Sequence, residues 1–443
     1  MTSPSNRAPT KGLVVAAPNS SSGKTTFCLG LAAALKDRGM NVEVAKCGPG
    51  YIDPQFLSAA IEQPCFNLDK WAMGTDQLRA RAGTIAHGSD IVLLEGMMGL
   101  FDGAKGMDGS TADIAAALDL PVLLLIDASG HSQSIAATVY GFVAMAKNVK
   151  ICGVVANRVG SARHADLLRE ALDEINIPMF GAVLRSESLT IPSRHLGLVQ
   201  AEEVDAQTRL VDVAKRRVSL DVDLDALLAG AGMFEAAGAV TPIPPLGQRI
   251  AVAQDIAFRF AYPHLLTDWR QCGAEIEYFS PLADEAPSAS CDAVYLPGGY
   301  PELHAGTLAR AGQFRQGLRD AAARGVRIYG ECGGYMVLGR SLIDKNGVPH
   351  RMAGLLDHVT SFEHRKLHLG YRVLTPQAVP DWPRSFRGHE FHYSTLDARG
   401  ADAPLFQVAD ARGSALGFAG GRRGSVMGSY MHIIDHAPSG TAA

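Results

Sequence analysis

The chain has 443 residues, more than one hydrophobic core usually serves, so two domains of roughly 200 residues each are expected. Apolar residues make up 47% and charged residues 19%, which excludes a disordered or fibrous chain. The formal net charge of −4, with acidic and basic residues interspersed, gives no electrostatic footprint for nucleic acid or an anionic membrane. The start is polar and no apolar run is long enough to span a membrane, so we expect a cytoplasmic protein with small-molecule chemistry.

The first half of the chain alternates short apolar runs with longer stretches of helical character. Such runs are typical of buried parallel strands. Candidate helices, for example Thr25–Arg38 and Gln133–Ala146, lie between them. This order predicts an α/β fold with a doubly wound parallel sheet. The predicted strands are Leu13–Ala16, Val42–Val44, Ile91–Leu94, Val122–Ile126 and Ile151–Val155.

A phosphate-binding loop follows the first predicted strand. Residues Ala17–Thr26 read Ala-Pro-Asn-Ser-Ser-Ser-Gly-Lys-Thr-Thr and open the first predicted helix. Backbone N–H groups at a helix N-terminus bind anionic oxygens, a lysine neutralises terminal phosphates, and a threonine hydroxyl reaches Mg²⁺. Pro18 replaces the first glycine of the usual motif, and a serine-rich helix cap is the alternative interpretation. We predict an ATP and Mg²⁺ site, with Thr25 on the metal, formed by Ser20, Ser21, Ser22, Gly23, Lys24, Thr25 and Thr26.

Carboxylates for the metal are expected where the strands of such a sheet end at its carboxyl edge. Glu95 directly follows the third predicted strand and Asp53 follows the second, so both are predicted catalytic groups and metal ligands. For Asp53, which precedes a proline, a helix cap is the alternative. Asp102 is a third catalytic candidate, with a plain turn as the alternative. Asn157, after the fifth predicted strand, is predicted to reach the nucleotide base, although a turn asparagine is the alternative.

A composition rich in Ala, Gly and Pro predicts a linker over residues 226–247. We therefore expect an ATP-binding domain over residues 1–225 and a second α/β domain over residues 248–443. After about Leu355 the pattern becomes richer in β structure. The second domain opens with four further strand-like runs, Ile250–Ala253, Glu275–Phe279, Ala293–Leu296 and Val326–Tyr329.

One of the seven cysteines has a context that suggests chemistry. The seven form no CxxC pair, and their odd number disfavours a disulfide framework. Cys332 lies in the sequence Gly-Glu-Cys-Gly-Gly-Tyr-Met after a predicted strand. Glycines at a strand-to-helix turn permit a strained backbone and close substrate approach, and a helix N-terminus lowers the pKa of a thiol. The pattern predicts that Cys332 is a nucleophile, with a buried structural cysteine as the alternative.

An acyl-thioester intermediate also needs donors for its oxyanion and a base for the thiol. Gly298 and Gly299 follow an earlier strand and are predicted to supply backbone N–H groups, with a simple Pro-Gly turn as the alternative. His432 comes late in the domain and follows a strand, which favours it as the base. His389 and His392 are its rivals.

Together these segments make the chain resemble the cobyrinic and hydrogenobyrinic acid a,c-diamide synthases of corrin biosynthesis, across essentially its full length. The resemblance implies a first domain of dethiobiotin-synthetase type and a class I glutamine amidotransferase domain with Cys332 as nucleophile and His432 as base. Ordinary class I amidotransferases carry glutamate two residues after this histidine, where Ile434 stands here, so a dyad without a third carboxylate is implied. Besides the phosphate loop, the shared motifs are Tyr51–Pro54, Glu95-Gly96, Gly99–Gly103, Arg194–Leu198, Glu331–Met336 and Arg387–His392.

The resemblance also implies the reaction. L-Glutamine is hydrolysed at Cys332, ammonia moves internally, and MgATP phosphorylates the c and then the a carboxylate of a corrinoid, hydrogenobyrinic or cobyrinic acid, before ammonia displaces phosphate. Arg194 and His195 are expected to contact this substrate, and a homodimer is expected by family analogy. Gly50 stands where the family usually has aspartate, so we expect an aspartate here to raise synthetase turnover.

Three alternatives to this function remain at the level of sequence. A cobyric acid synthase-like enzyme and a nickel-sirohydrochlorin a,c-diamide synthase share the two-domain plan. A partitioning-type ATPase switch, a different class of protein, shares the variant phosphate loop but has no use for a glutaminase domain.

Overall fold

The computed structural model describes residues 9–186, 189, 201–235, 238–382 and 384–438, with the backbone alone over 201–207. Arg194 and His195, the expected substrate contacts, lie outside the described residues. The chain folds into two compact units, with a boundary between Val240 and Thr241. Among the described residues, none of the helices combines the length and the apolar character needed to cross a membrane.

The first unit is built on one sheet with helices between its strands. Its strands are β1 (Lys11–Ala16), β2 (Val42–Cys47), β3 (Phe66–Leu68), β4 (Ile91–Glu95), β5 (Val122–Asp127), β6 (Ile151–Val159), β7 (Met179–Leu184) and β8 (Gly232–Met233). Its helices are α1 (Lys24–Asp37), α2 (Ile52–Ile61), α3 (Lys70–Ala86), α4 (Thr111–Leu118), α5 (Ser134–Met145), α6 (Ala162–Asp173), α7 (Ala201–Asp221) and α8 (Leu224–Gly230).

Seven strands of this sheet are parallel, in the order β3-β2-β4-β1-β5-β6-β7. β8 pairs antiparallel with the start of β1. The predicted parallel α/β sheet is confirmed, and the five predicted strands coincide with β1, β2, β4, β5 and β6. Since β1 lies between β4 and β5, the loop after β1 opens at the middle of the carboxyl edge, where ligands of such sheets bind.

Helix α1 carries the phosphate loop at its start and is buried along most of its length. Its sequence is rich in Ala and Leu, which are strong helix formers that pack against a sheet and a second helix at once. At Gly30 the neighbouring helix α7 comes so close that a Cβ would lie 2.6 Å from the carbonyl oxygen of Ala214. This close packing holds the helix, and therefore the loop at its N-terminus, in one place.

The first part of the predicted linker over residues 226–247 belongs to the first unit. Helix α8 runs to Gly230, and the Asp223 side chain caps it by accepting the N–H groups of Asp225 and Ala226. Leu227 is fully buried in the core of this unit. The Ala- and Gly-rich composition here therefore reflects a short capped helix and a two-residue strand, and the prediction of a linker was wrong for this part.

The second unit contains three sheets. Its strands are β9 (Arg249–Ala253), β10 (Glu275–Phe279), β11 (Ala293–Leu296), β12 (Arg327–Glu331), β13 (Ser341–Ile343), β14 (Pro349–Arg351), β15 (Val359–Ser361), β16 (His368–Pro376), β17 (Phe386–His392), β18 (Thr395–Ala398), β19 (Phe406–Asp410), β20 (Ala415–Ala419), β21 (Gly421–Arg423), β22 (Val426–Ser429) and β23 (Met431–His436). Its helices are α9 (Pro263–Gln271), α10 (Ala305–Arg310), α11 (Gly312–Ala323) and α12 (Gly333–Leu338), with 3-10 turns at Pro281–Ala283 and Pro301–His304.

The main sheet of this unit has the order β10-β9-β11-β12-β22-β21, parallel except for its last strand. The four predicted strands coincide with β9 to β12. A five-stranded antiparallel sheet, β20-β19-β16-β17-β23, and a four-stranded sheet, β14-β13-β15-β18, complete the unit. After α12 the described residues form strands and loops without a further helix, which confirms the predicted rise in β structure. All seven cysteines are free thiols, in agreement with the sequence.

Candidate functional site

The loop between β1 and α1 has the shape that a phosphate site needs. Gly23 caps the helix in the left-handed region, with φ 92° and ψ 19°, where glycine alone is unstrained. The Ser22 hydroxyl donates to Asn19 Oδ1 at 2.7 Å, and Lys24 Nζ donates to the carbonyls of Asn19 (3.0 Å) and Met98 (2.6 Å). The first turn of α1 presents backbone N–H groups that no helical carbonyl can accept. The loop is thus a preformed cradle for an anion.

Two side chains from β6 hold this loop from the other side. Asn157 Nδ2 donates to the carbonyl of Ser22 at 2.8 Å, and Arg158 Nη2 donates to the carbonyl of Ser21 at 2.9 Å. Arg158 also pairs with Asp127 at the end of β5. Asn157 lies inside β6, where the sequence suggested a loop, and its amide contacts the phosphate loop. Arg158 was not predicted, because nothing local marks a strand arginine as a loop contact.

Three predicted site residues lie at the periphery. Ser20 is exposed in the loop, and the Thr26 hydroxyl donates to the carbonyl of Leu189 at 3.5 Å. Asp102 is exposed, and its Oδ2 accepts the N–H of Gly99 at 2.8 Å. That contact is the turn interaction that the sequence left as the alternative for Asp102.

The predicted metal ligands converge beside the loop. The Thr25 hydroxyl donates to Glu95 Oε1 at 2.7 Å and to Asp53 Oδ1 at 3.3 Å. Asp53 lies in the first turn of α2, whose N-cap is Tyr51, so the carboxylate is directed to this cluster rather than to a cap. Lys46 Nζ completes the cluster, 2.8 Å from Asp53 Oδ2 and 3.0 Å from Glu95 Oε1.

Lys46 was not predicted, although a signal existed. It is a single cation at the end of the apolar strand β2, and it lies opposite Glu95 of β4 in the register of the sheet. Burial disfavours its ammonium, but Glu95 and Asp53 outweigh burial and raise its pKa. For Glu95, burial raises the pKa against the opposing effect of Lys46. Burial, and then the charge of Lys46, lowers the pKa of Lys24 to about 8, and an anion in the loop would raise this pKa again.

The cluster fits a hard cation such as Mg²⁺. Among the described residues, Glu95 Oε2 is buried without a hydrogen-bond partner, while Oε1 is shared by Thr25 and Lys46. A buried carboxylate oxygen without a partner is costly unless something binds it. Carboxylate and hydroxyl oxygens are the ligands that Mg²⁺ prefers, so Glu95, Asp53 and Thr25 form a suitable donor set.

In the second unit Cys332 lies on a sharp turn between β12 and α12. Its backbone has φ 46° and ψ −104°, a strained conformation for a residue with a Cβ, which costs about 1–3 kcal/mol. Gly334 is required at this turn, because a Cβ there would lie 1.9 Å from the carbonyl oxygen of Leu296. The Cys332 N–H donates to the Ser429 carbonyl at 2.8 Å, and Sγ lies 3.8 Å from the Phe391 carbonyl. Such strain is typical of a nucleophile elbow.

The loop after β11 approaches the elbow as predicted for an oxyanion site. Backbone N–H groups of Gly299 and Gly333 interact with the sulfur of Cys332. A Cβ on Gly298 would lie 3.2 Å from Cys332 Cβ and 2.3 Å from His432 Cε1, so cysteine and histidine flank this glycine. The structure therefore places Cys332, Gly298 and His432 side by side. The N–H groups at the sulfur are those of Gly299, which was predicted as an oxyanion donor, and of Gly333, which was not.

His432 is fully buried on β23, and a carboxylate lies beside it. Its Nδ1 is 3.8 Å from Oε2 of Glu331, the residue before the nucleophile. Position 434 is Ile, fully buried, so the carboxylate comes from a different part of the chain from the one that class I enzymes use. The resemblance implied a pair of Cys332 and His432 without a third carboxylate. The structure places the Glu331 carboxylate beside His432, which that expectation did not include. The rival His389 lies opposite His432 in the strand register.

Electrostatics keep the cysteine and histidine uncharged. Burial raises the pKa of Cys332, and Glu302 adds to this, while the N–H groups of Gly333 and Gly299 oppose it without prevailing. The prediction that the helix N-terminus lowers the pKa of the Cys332 thiol was wrong, because α12 has only six residues and the thiol is buried. Burial, and then the nearby His389 and His392, lowers the pKa of His432 to about 3.

The remaining histidines near the site form a separate chain of polar contacts. His392 Nε2 lies 3.1 Å from Glu390 Oε1, and Arg372 binds Glu390 Oε2 at 2.7 Å. His368, Glu390 and His392 come close enough to hold a metal ion. However, the two imidazole rings stack in parallel, 4.7 Å apart at 11°, so their nitrogens do not converge. Arg372 already neutralises the carboxylate, which favours a structural ion pair over a metal site.

Glu302 is a further acidic group that sequence reasoning missed. Burial raises its pKa to about 7, and among the described residues its Oε2 is buried without a hydrogen-bond partner. Its charge acts on Cys332 and on Tyr300, so it lies near the thiol site. The sequence Gly-Tyr-Pro-Glu offered little signal, since a glutamate in a loop is normally solvated.

Comparisons with known proteins agree over both units. A CobQ/CobB/MinD/ParA nucleotide binding domain matches residues 13–199, and a CobB/CobQ-like glutamine amidotransferase domain matches residues 249–439. A hydrogenobyrinate a,c-diamide synthase of a Sinorhizobium species is 52% identical over 429 residues, 96% of this chain and 99% of that protein. Proteins of the same name from Rhizobium meliloti and Brucella abortus are 50% and 52% identical, covering 96% and 98% of this chain and 99% and 100% of their own lengths.

Proposed function

Because this chain belongs to the family of the hydrogenobyrinate a,c-diamide synthases, we propose that it uses ATP and glutamine to amidate the a and c side-chain carboxylates of a corrinoid. One observation carries this proposal: a single chain contains both a carboxylate-lined phosphate loop and a strained cysteine beside a histidine. A partitioning-type ATPase switch would need only the first of these sites.

The second unit releases ammonia from glutamine. The sulfur of Cys332 attacks the side-chain amide carbon as its proton passes to His432. N–H groups of Gly299 and Gly333 stabilise the oxyanion of the tetrahedral intermediate. The C–N bond then breaks as His432 gives the proton to the leaving nitrogen, which departs as ammonia. Water hydrolyses the remaining thioester to glutamate and restores the thiol.

The first unit activates the carboxylate. Lys24 and the N–H groups at the start of α1 bind the phosphates of ATP. Mg²⁺, held by Thr25, Asp53 and Glu95, supplies positive charge at the terminal phosphate when it is bound. A carboxylate is a poor acyl donor, so transfer of the γ-phosphoryl group to its oxygen creates an acyl phosphate with a good leaving group. Ammonia attacks the acyl carbon, phosphate leaves, and the amide forms, once at each of the two side chains.

The test is mass spectrometry of hydrogenobyrinic acid incubated with the protein, MgATP and glutamine. We expect two successive amidations, and with Cys332→Ala we expect them only when ammonium chloride replaces glutamine. Cobyrinic acid and nickel-sirohydrochlorin are tested in parallel, since amidation of one of them alone would identify a different macrocycle. Absence of any amide from all three, even with ammonia, would contradict the synthetase assignment.

A further inference from the structure

The buried carboxylate of Glu331 accepts hydrogen bonds at both of its oxygens. Its side chain is buried at the end of β12. Oε1 accepts the Tyr329 hydroxyl and the N–H of Ile433, each at 3.0 Å. Oε2 accepts the Tyr295 hydroxyl at 2.8 Å and faces His432 Nδ1 at 3.8 Å. Three donors therefore fix the carboxylate, and one of its oxygens is directed to the histidine.

Aromatic packing makes these donors rigid. The rings of Tyr295 and Tyr329 stack 6.0 Å apart at 11°, and Trp269 and Trp382 contact them edge-on at 5.4 Å and 5.2 Å. Burial, followed by the charge of Glu331, raises the pKa of both phenols, so each remains a hydrogen-bond donor. A carboxylate in such a site cannot turn away from His432 without losing these bonds.

Neither Ile434 nor Glu390 offers His432 an equivalent group. Ile434, two residues along the same strand, is apolar and fully buried. Glu390 has both oxygens engaged, one by His392 and one by Arg372. Burying a carboxylate costs several kcal/mol. A buried carboxylate is therefore retained mainly where it has a function. Among these residues, Glu331 is the one whose carboxylate faces the imidazole.

We propose that Glu331 is a positioning residue that orients His432 and stabilises the imidazolium formed when Cys332 loses its proton. The inference rests on the proposed glutaminase reaction. As the thiol proton moves to Nε2, positive charge appears on the ring, and the carboxylate at Nδ1 compensates it without itself taking up the proton. The 3.8 Å separation closes to a hydrogen bond by a small rotation of the ring.

The primary test is Glu331→Gln, which keeps the shape of the side chain and removes its charge. We expect kcat for glutamine hydrolysis to fall about 10²-fold, with KM for glutamine changed less than about twofold. Amidation driven by free ammonia should keep its parent rate, and a circular dichroism spectrum like that of the parent establishes that the second unit is folded. Alkylation of Cys332 by iodoacetamide should also slow, because the imidazolium that forms with the thiolate has lost its partner.

The pH profile of kcat separates positioning from a merely structural role. Other titratable groups around His432 are Cys332 on the elbow and His389, Glu390 and His392 on β17, while Tyr295 and Tyr329 surround Glu331. Burial places the pKa of Glu331 at about 7, so kcat of the parent should rise as pH increases through this value. The rise should disappear in Glu331→Gln and persist in the control Glu277→Gln, at an exposed position of β10.

An unchanged kcat and pH profile in Glu331→Gln would overturn the inference while leaving the proposed function intact, because the parent protein would still hydrolyse glutamine. If Glu331→Gln does not fold, Glu331→Asp replaces it. Aspartate keeps the negative charge, but its side chain is one methylene shorter, which moves the carboxylate away from His432. We therefore expect kcat to fall about tenfold or more while the pH-dependent rise in kcat remains. Parent activity in Glu331→Asp would then refute the positioning role.

Discussion

Lys46 and Glu95 lie opposite each other on neighbouring parallel strands, with Nζ 3.0 Å from Oε1 and both side chains almost fully buried. A buried ion pair contributes little by itself, but removing one partner leaves an uncompensated charge. The pair therefore makes the stability of the first unit depend on one lysine. It also fixes Glu95 Oε1 where the Thr25 hydroxyl of the phosphate loop donates to it at 2.7 Å.

Lys46→Met should destabilise the first unit by about 3–5 kcal/mol, because Glu95 would be buried without its cation. Chemical denaturation of the variant and parent measures this difference. Lys36→Met is the matched control, since its pair with Glu62 is exposed to solvent and should contribute little to stability. Equal stability of Lys46→Met and the parent would show that the buried pair is dispensable.

Gly50→Asp should raise the rate of ammonia-driven amidation. A Cβ at this position would meet only Lys46 Cε, at 3.9 Å, and Asn67 Nδ2 already holds the Gly50 carbonyl at 2.9 Å, so the loop can accept a carboxylate. The added charge would lie beside the Thr25, Asp53 and Glu95 cluster. Gly50→Asn, similar in size and neutral, is the control. Identical rates for the aspartate variant and the parent would remove the carboxylate role at this position.

Gly298→Ala should abolish glutamine hydrolysis while sparing amidation with ammonia. The new Cβ would lie 2.3 Å from His432 Cε1 and must push the ring away from Cys332. Displacing a catalytic group by about 1 Å costs on the order of 10²-fold in rate. Glutamate release is the measurement. Gly312→Ala, where a Cβ meets nothing within 4 Å, should behave as the parent, and an active Gly298→Ala would place His432 outside the reaction.

Glu331 should contribute stability to the second unit that is lost as pH rises from about 5 to 8. The pKa of Glu331 in the folded protein is raised by burial from 4.5 to about 7. A raised pKa contributes stability that is complete below the unfolded value and is lost as pH rises through the folded value. Glu331→Gln lacks this contribution, so its stability relative to the parent should increase by up to roughly 3 kcal/mol between about pH 5 and pH 8. Denaturation at several pH values measures this change.

Glu277→Gln, at an exposed position of β10, is the control for that experiment, and its stability should differ from that of the parent by the same amount at every pH. A Glu331→Gln curve parallel to the parent curve would mean that Glu331 remains ionised in the folded protein throughout this range.

The sequence predicted those parts of the fold whose signal is local. Apolar strands such as Val122–Ile126 and the elbow around Cys332 each depend on a run of consecutive residues. The sequence located both correctly. Lys46 and Glu331 were missed because each is a charged residue at or near the end of a largely buried strand. Their meaning depends on partners, Glu95 and His432, that only strand pairing and long-range folding bring near.

Two errors came from treating a local tendency as decisive. The Ala- and Gly-rich start of the predicted linker forms α8, because Leu227 can be buried in the first-unit core. A helix N-terminus does favour a thiolate, but at Cys332 the loss of solvent is the larger effect. In both cases the tertiary environment outweighs the local preference.

The uncharged state of Cys332 also bears on how the protein withstands oxidants. Peroxides attack thiolates far faster than thiols, and attack requires access to the sulfur. Cys332 is buried and its thiol pKa is raised, whereas Cys272 is exposed. Oxidative damage should therefore reach Cys272 first, and the nucleophile should stay reduced between turnovers without a resolving cysteine beside it.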